Sequence, residues 1–304
     1  MKYSKLLREI LSLLFMALAL VFVLRRVDPY QLLTCVGEIR PMDLVLTSFM
    51  SILAVLSSTF RWYLLLSSLR KIPLKRVLSA VLSGYYLLLI LPYGAGHIAK
   101  VGLIGGDYYD AVGSLMLGMM IETLLFVLLL APALHNKHLL GAIAISIIFS
   151  AAIIKKIDKN ISGVERLEIL CKRIPIVGNL LLTLEKDLEI VKDDLKRPSL
   201  LILLSFLSLL AQLCGIWILV RSLDYNAEIS DLAIAFASSI FVGFIGGTPG
   251  GVGGNELGLA IGLERAGIPL ESSLSIALVF KTLFQYVYAP VGGIIFHLKM
   301  GSQG

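Results

Sequence analysis

Six ionisable side chains fall within or beside apolar stretches of this chain: Arg61, His97, Lys100, Glu122, Glu256 and Lys281. Placing such a group at bilayer depth costs roughly 2.5 to 3.5 kcal/mol, so each marks a candidate contact for an ion or a polar substrate. The cations suit an anionic group such as a phosphate, and the two carboxylates could balance them, answer a coupling ion or act as general acid and base. Glu256 closes the run Gly246-Gly247-Thr248-Pro249-Gly250-Gly251-Val252-Gly253-Gly254-Asn255. That run cannot be uninterrupted helix, because glycine is costly in a helix interior and proline lacks a donor N–H. The helix restarting at Glu256 presents free N–H groups and the positive end of its dipole, which favours anions. Each charged residue also has a plainer role. Arg61, beside Trp62, could be an interfacial anchor; Glu122 could neutralise a cation across the helices; Glu256 could cap its own helix; His97 could be a packed polar residue. Lys281 lies ten residues inside its apolar run, too deep to reach the interface comfortably.

Metal and nucleotide chemistry have little footing. Cys35, Cys171 and Cys214 lack paired spacing, and His97, His135, His138 and His297 form no HExxH motif. The Gly-rich run has no GK[ST] ending, so it is not a nucleotide loop. Neither a metal nor a cofactor is expected. The net charge of +6 comes from basic residues flanking apolar spans, with no nucleic-acid module visible, so membrane lipids are the expected partner rather than nucleic acid.

The elements that must position these residues are membrane helices. A chain with 57% hydrophobic and 16% charged residues and a mean hydropathy of +0.88 is expected to be an all-α polytopic membrane protein. Spanning windows run from 6 to 24, 44 to 66, 111 to 132, 139 to 154, 199 to 220 and 272 to 296, about six full crossings. The first follows Lys2, Lys5 and Arg8 and ends in Arg25-Arg26, which favours an uncleaved span over a signal peptide. Two further apolar regions, 77 to 106 and 232 to 264, are cut by Pro and Gly. If each crossed once, the basic segment 155 to 197 would face away from the other basic clusters, against the positive-inside rule. If each enters and leaves on one side as a re-entrant hairpin, 18 Lys and Arg lie inside and 6 outside. The expected protein is therefore multi-pass in the cell membrane, with both termini cytoplasmic.

This threading gives 44 to 132 and 199 to 296 opposite topology, and their breaks share Pro92-x-Gly94-x-Gly96 and Pro249-x-Gly251-x-Gly253. Opposed halves with matched breaks predict an inverted-repeat transporter within one membrane domain covering 1 to 304. Gly258 and Gly262 have the GxxxG spacing of close helix packing. Between the halves, 155 to 198 carries Leu181, Leu184, Leu188, Val191 and Leu195 at helical spacing. It reads as a cytoplasmic amphipathic linker at the interface, or as a contact in a homodimer.

With those residues in view, the chain resembles the lysylphosphatidylglycerol synthase transmembrane-region family, the flippase portion of the bacterial multiple peptide resistance factor and its stand-alone relatives. The matching pieces are Arg61-Trp62 with Leu64-Leu65-Leu66, Leu91-Pro92, Glu122, Gly247-Thr248-Pro249-Gly250-Gly251-Val252-Gly253 with Glu256, and Lys281 with Tyr286 and Pro290. The family pattern at the first break reads like LPGRxGE followed three residues later by Arg. Here Tyr93, Gly94, His97 and Lys100 stand at the corresponding places. The chain is expected to be a stand-alone member lacking the synthase domain, and not an enzyme. The resemblance implies a flippase, and the intramembrane charges fit one: a lipid flippase or translocase moving a phospholipid or lipid-linked head group through a polar cavity between the hairpins. The expected substrate-binding set is Arg61, His97, Lys100, Glu122, Thr248, Gly250, Gly251, Gly253, Glu256 and Lys281, recognising an anionic or phosphate-bearing head group. The rival is an integral-membrane enzyme on a lipid-linked substrate, with Glu122 and Glu256 as acid and base. A flippase relocates a lipid, whereas an enzyme makes a new species, so lipid analysis after incubation with candidate donors separates them.

Overall fold

The computed structural model describes residues 28–91, 95–105, 108–130 and 196–301. The first apolar run, the window 139 to 154, His135 and His138, and nearly all of the linker 155 to 198 lie outside the described residues. So do Pro92, Tyr93 and Gly94 of the first break.

The described residues hold ten α-helices: α1 (Pro29–Glu38), α2 (Pro41–Leu69), α3 (Leu74–Ile90), α4 (Ala95–Gly102), α5 (Tyr108–Leu130), α6 (Lys196–Ser222), α7 (Ile229–Gly246), α8 (Gly254–Arg265), α9 (Leu270–Lys281) and α10 (Tyr288–Gly301). No strand occurs among them. The chain is an all-α, multi-pass membrane protein. Five stretches are long and apolar enough to cross a bilayer: Pro41–Leu69, Tyr108–Leu130, Pro198–Ser222, Ile229–Gly246 and Leu270–Leu298. Four correspond to expected spans. The fifth, α7, was expected only as one arm of a broken region, yet its 18 residues reach about 27 Å at 1.5 Å per residue. Its successor α8, with 12 residues, reaches only about 18 Å, short of a ~30 Å hydrocarbon core.

Local sequence accounts for the helix limits. Asp28 caps α1 by accepting from the Tyr30 N–H at 2.9 Å, with Pro29 in the first turn, where a missing N–H is harmless. Gly247 ends α7 in the left-handed region at φ +59°, the usual glycine stop. The last apolar stretch is continuous but irregular. Thr282–Tyr286 winds as a π-turn, with the Val287 N–H bonding five residues back to the Thr282 carbonyl at 3.0 Å. Pro290, just beyond, cannot donate to the Tyr286 carbonyl, so regular winding is interrupted there.

The described residues form two compact units that interleave along the sequence, one from those within 28–56, 78–103 and 210–301, the other from those within 57–77, 104–130 and 196–209. In the first, α7 and α8 lie antiparallel at backbone contact. A Cβ on Gly254 would meet Gly243 Cα at 3.0 Å, one on Gly258 would meet the Ser238–Ser239 backbone, and one on Gly262 would meet Ala235. Gly258 and Gly262 are thus packing residues, and the pairing brings the start of α7 beside the end of α8. The α3–α4 pair is built alike. A Cβ on Gly96 would fall 2.7 Å from Leu88 Cα, and one on Gly84 would lie 2.8 Å from Lys100 Cδ. Gly292 of α10 packs on Leu82 and Ser83 of α3, and the Ser275 hydroxyl of α9 donates to the Leu32 carbonyl of α1 at 3.1 Å. In the second unit, Leu65, Leu117 and Leu201 pack together from α2, α5 and α6. The Trp62 indole donates to Ser114 at 3.1 Å.

Candidate functional site

The break between α7 and α8 is tightly organised. The Thr248 hydroxyl, fully buried, donates to the Val252 carbonyl at 2.8 Å, closing the loop across a single 3₁₀ turn over Pro249–Gly251. Gly250 stands at φ +62°, a conformation a side chain resists. It also has no room, since a Cβ there would lie 3.1 Å from Leu89 Cδ2 and 3.3 Å from the Leu88 carbonyl. Its own carbonyl accepts from Gln285 Nε2 at 3.3 Å. The π-turn therefore grips the break from one side and the end of α3 from another. Gly251 and Gly253 complete the run with positive φ.

Glu256, 5% exposed, is committed to two donors: Oε2 accepts from the Gly253 N–H at 2.8 Å, and Oε1 accepts from the Tyr286 hydroxyl. The first contact is half of a capping box; Gly253 has no side chain to return it. No cation stands on this carboxylate. Lys281 comes instead to Asn255. With the amide turned so that donors meet acceptors, Asn255 Oδ1 accepts from the Lys281 ammonium and Nδ2 donates to the Ser239 carbonyl at 3.0 Å. The Ser239 hydroxyl returns a bond to the Asn255 carbonyl at 2.8 Å. A buried carboxylate and a half-buried lysine thus meet at the first turn of α8 through neutral partners, with no direct ion pair.

The end of α3 approaches the same place. Leu88 is the neighbour of Gly96, just beyond the first break, and of Gly250 in the second. Lys100, on α4, lays its stem along Gly84, one turn before Leu88 on α3. The His97 side chain lies outside the described residues.

Arg61 and Glu122 belong to the second unit and hold one another. Arg61 Nη2 meets Glu122 Oε2 at 2.6 Å, with side chains 7% and 25% exposed. Arg61 Nη1 donates to Ser205 at 3.1 Å, and Ser208 donates to Glu122 Oε1 at 3.0 Å. Gly118 makes the space, because a Cβ there would sit 3.2 Å from Arg61 Nε. Arg61 is therefore not an interfacial anchor, and Glu122 takes the neutralising role. Of the ten expected contacts, the structure gathers Thr248, Gly250, Gly251, Gly253, Glu256 and Lys281 around one break and joins Arg61 to Glu122 elsewhere. Among the described residues, no three His, Cys, Asp or Glu stand close enough to hold a metal ion.

A family model described as the lysylphosphatidylglycerol synthase TM region matches residues 10–292. The chain belongs to that family. No curated protein matches it. The family's Gly-Thr-Pro-Gly-Gly run with Glu256 is the part drawn together with Lys281 and Tyr286, so motif pieces separated by 25 residues or more meet in one hydrogen-bonded cluster. Asn255, Ser239 and Gln285 were not expected in it. Asn255 lay in plain view beside Glu256, whereas Gln285 and Tyr286 depend on the π-turn, which leaves no regular spacing to read.

Proposed function

We propose that this protein is a lipid flippase or translocase, carrying a phospholipid or lipid-linked head group along a polar path beside the α3–α4 and α7–α8 hairpins. The observation that carries the reading is the meeting of both broken segments on Leu88, with half-buried Lys281 and buried Glu256 at the second. Membership in a lipid-handling family supports it. Both hairpins act as re-entrant elements of an inverted repeat: α8 returns alongside α7 and is too short to cross alone. The head-group phosphate engages Lys281, Lys100 and the positive end of the α8 dipole. The 18 to 6 distribution of basic residues supports cytoplasmic termini. The protein moves its lipid without altering it.

The test is reconstitution in liposomes with fluorescent phosphatidylglycerol, phosphatidylethanolamine and phosphatidylcholine, scored by quenching of outer-leaflet label. Faster exchange of at least one lipid than in protein-free vesicles is expected, with a Lys281→Met variant slower than wild type. No acceleration for any lipid, with a known scramblase active in parallel, would refute the reading.

A further inference from the structure

We infer that Glu256 is a proton site, and that an anionic head group binding at Lys281 is accompanied by uptake of one proton, so that the protein couples anionic-lipid movement to a pH gradient. The inference rests on the transport reading above and adds its energy source. It begins from charge. Lys281 and Glu256 together carry no net charge, and they contact neutral groups rather than each other. A phosphodiester monoanion arriving at the ammonium makes the cluster net negative at membrane depth, where uncompensated charge is costly. One proton on the pair restores neutrality. A zwitterionic head group brings its own cation and needs none.

Geometry selects Glu256 for this role. Its partner Tyr286 has a hydroxyl, which donates and accepts. It donates to the carboxylate as it stands and can accept from the carboxylic acid after its own proton swings away, with no heavy atom moving. The Gly253 N–H holds the other oxygen throughout. Glu122 differs, because the Arg61 guanidinium, which can only donate, sits directly on it. The charged surroundings are otherwise sparse. Helix α7 carries only Asp231, in its first turn. On α8, Glu264 and Arg265 are exposed in the last turn, and on α9 only Glu271, in the first turn, accompanies Lys281. The part of α3 nearest the break offers Tyr85, which packs on Tyr288 of α10 at 5.1 Å, and Tyr86, which bonds His297. Lys100 of α4 lies against Gly84.

The experiment uses the full chain in liposomes with an imposed difference of one pH unit and the membrane potential clamped. Labelled phosphatidylglycerol and phosphatidylcholine are followed separately to their final leaflet distributions. One proton per lipid, at 1.36 kcal/mol per pH unit, biases phosphatidylglycerol up to about tenfold toward the alkaline leaflet and leaves phosphatidylcholine unbiased. In Glu256→Gln the phosphatidylglycerol bias falls to one, whatever rate remains. Tyr286→Phe, which keeps the carboxylate, weakens it. Phosphatidylglycerol that exchanges rapidly in wild type yet stays evenly distributed would overturn proton coupling while leaving the transport reading intact. A bias surviving in Glu256→Gln would move the proton elsewhere and overturn the assignment. No exchange at all in wild type removes both readings together.

Discussion

Truncating Glu122 to alanine should be far more damaging than removing the whole ion pair. Arg61 Nη2 meets Glu122 at 2.6 Å on a side chain only 7% exposed. Glu122→Ala leaves that guanidinium with Ser205 alone and takes the acceptor from Ser208. Breaking a buried pair from one side costs about 3 to 5 kcal/mol, and the partial exposure of Glu122 places this case near ~3 kcal/mol. That is roughly two orders of magnitude in the folded-to-unfolded ratio. Arg61→Met with Glu122→Leu removes both charges and fills the space with apolar groups, a change that is often neutral, so the double variant should fall within about 1 kcal/mol of wild type. Unfolding in mixed micelles titrated with dodecyl sulfate reads all of them, and Trp62, bonded to Ser114 in the same unit, reports by its fluorescence. A loss below about 0.5 kcal/mol for the single variant would mean a hydrated pair of surface type and would refute the reasoning. So would a double variant as unstable as the single.

Two other substitutions probe the broken segment. Gly262→Leu places side-chain atoms where a Cβ would already stand 2.8 Å from Ala235 Cβ, and should destabilise the α7–α8 pair by about 3 kcal/mol, the upper end for overpacking, read by the same micelle titration. Thr248→Val removes the donor to the half-buried Val252 carbonyl, with an expected loss of about 1 kcal/mol and slower lipid exchange in liposomes; unchanged exchange would remove this loop from the working site.

The parts of the fold legible in the sequence were those fixed by short-range chemistry. Pro249 and its glycines end α7 wherever the helix lies, and the GxxxG spacing of Gly258 and Gly262 could close only against a small-residue face, which Ala235, Ser239 and Gly243 supply. The length of α7 was not legible, because residues 232 to 264 are apolar on both sides of the break and hydropathy does not separate a crossing arm from a returning one. Arg61 and Glu122 stood out as costly charges, but their pairing depends on how α2 and α5 rotate against each other. Their serine partners on α6, Ser205 and Ser208, look like ordinary polar relief in a leucine-rich span. The π-turn was hidden for a similar reason. Its only local mark is Pro290, and its effect is to put both Gln285 and Tyr286 on the face that meets the break.

The order in which these parts leave the ribosome matters for biogenesis. The break from Gly247 to Gly253 emerges with Glu256, while Lys281, Gln285 and Tyr286, which satisfy its polar groups, follow about thirty residues later. Lipid cannot stand in for those partners, since unsatisfied backbone groups are not tolerated in hydrocarbon. The nascent α7–α8 hairpin must therefore be sheltered at the translocon or held at the aqueous interface until the Leu270–Leu298 span arrives, which makes insertion of that span the step that commits the site to the membrane.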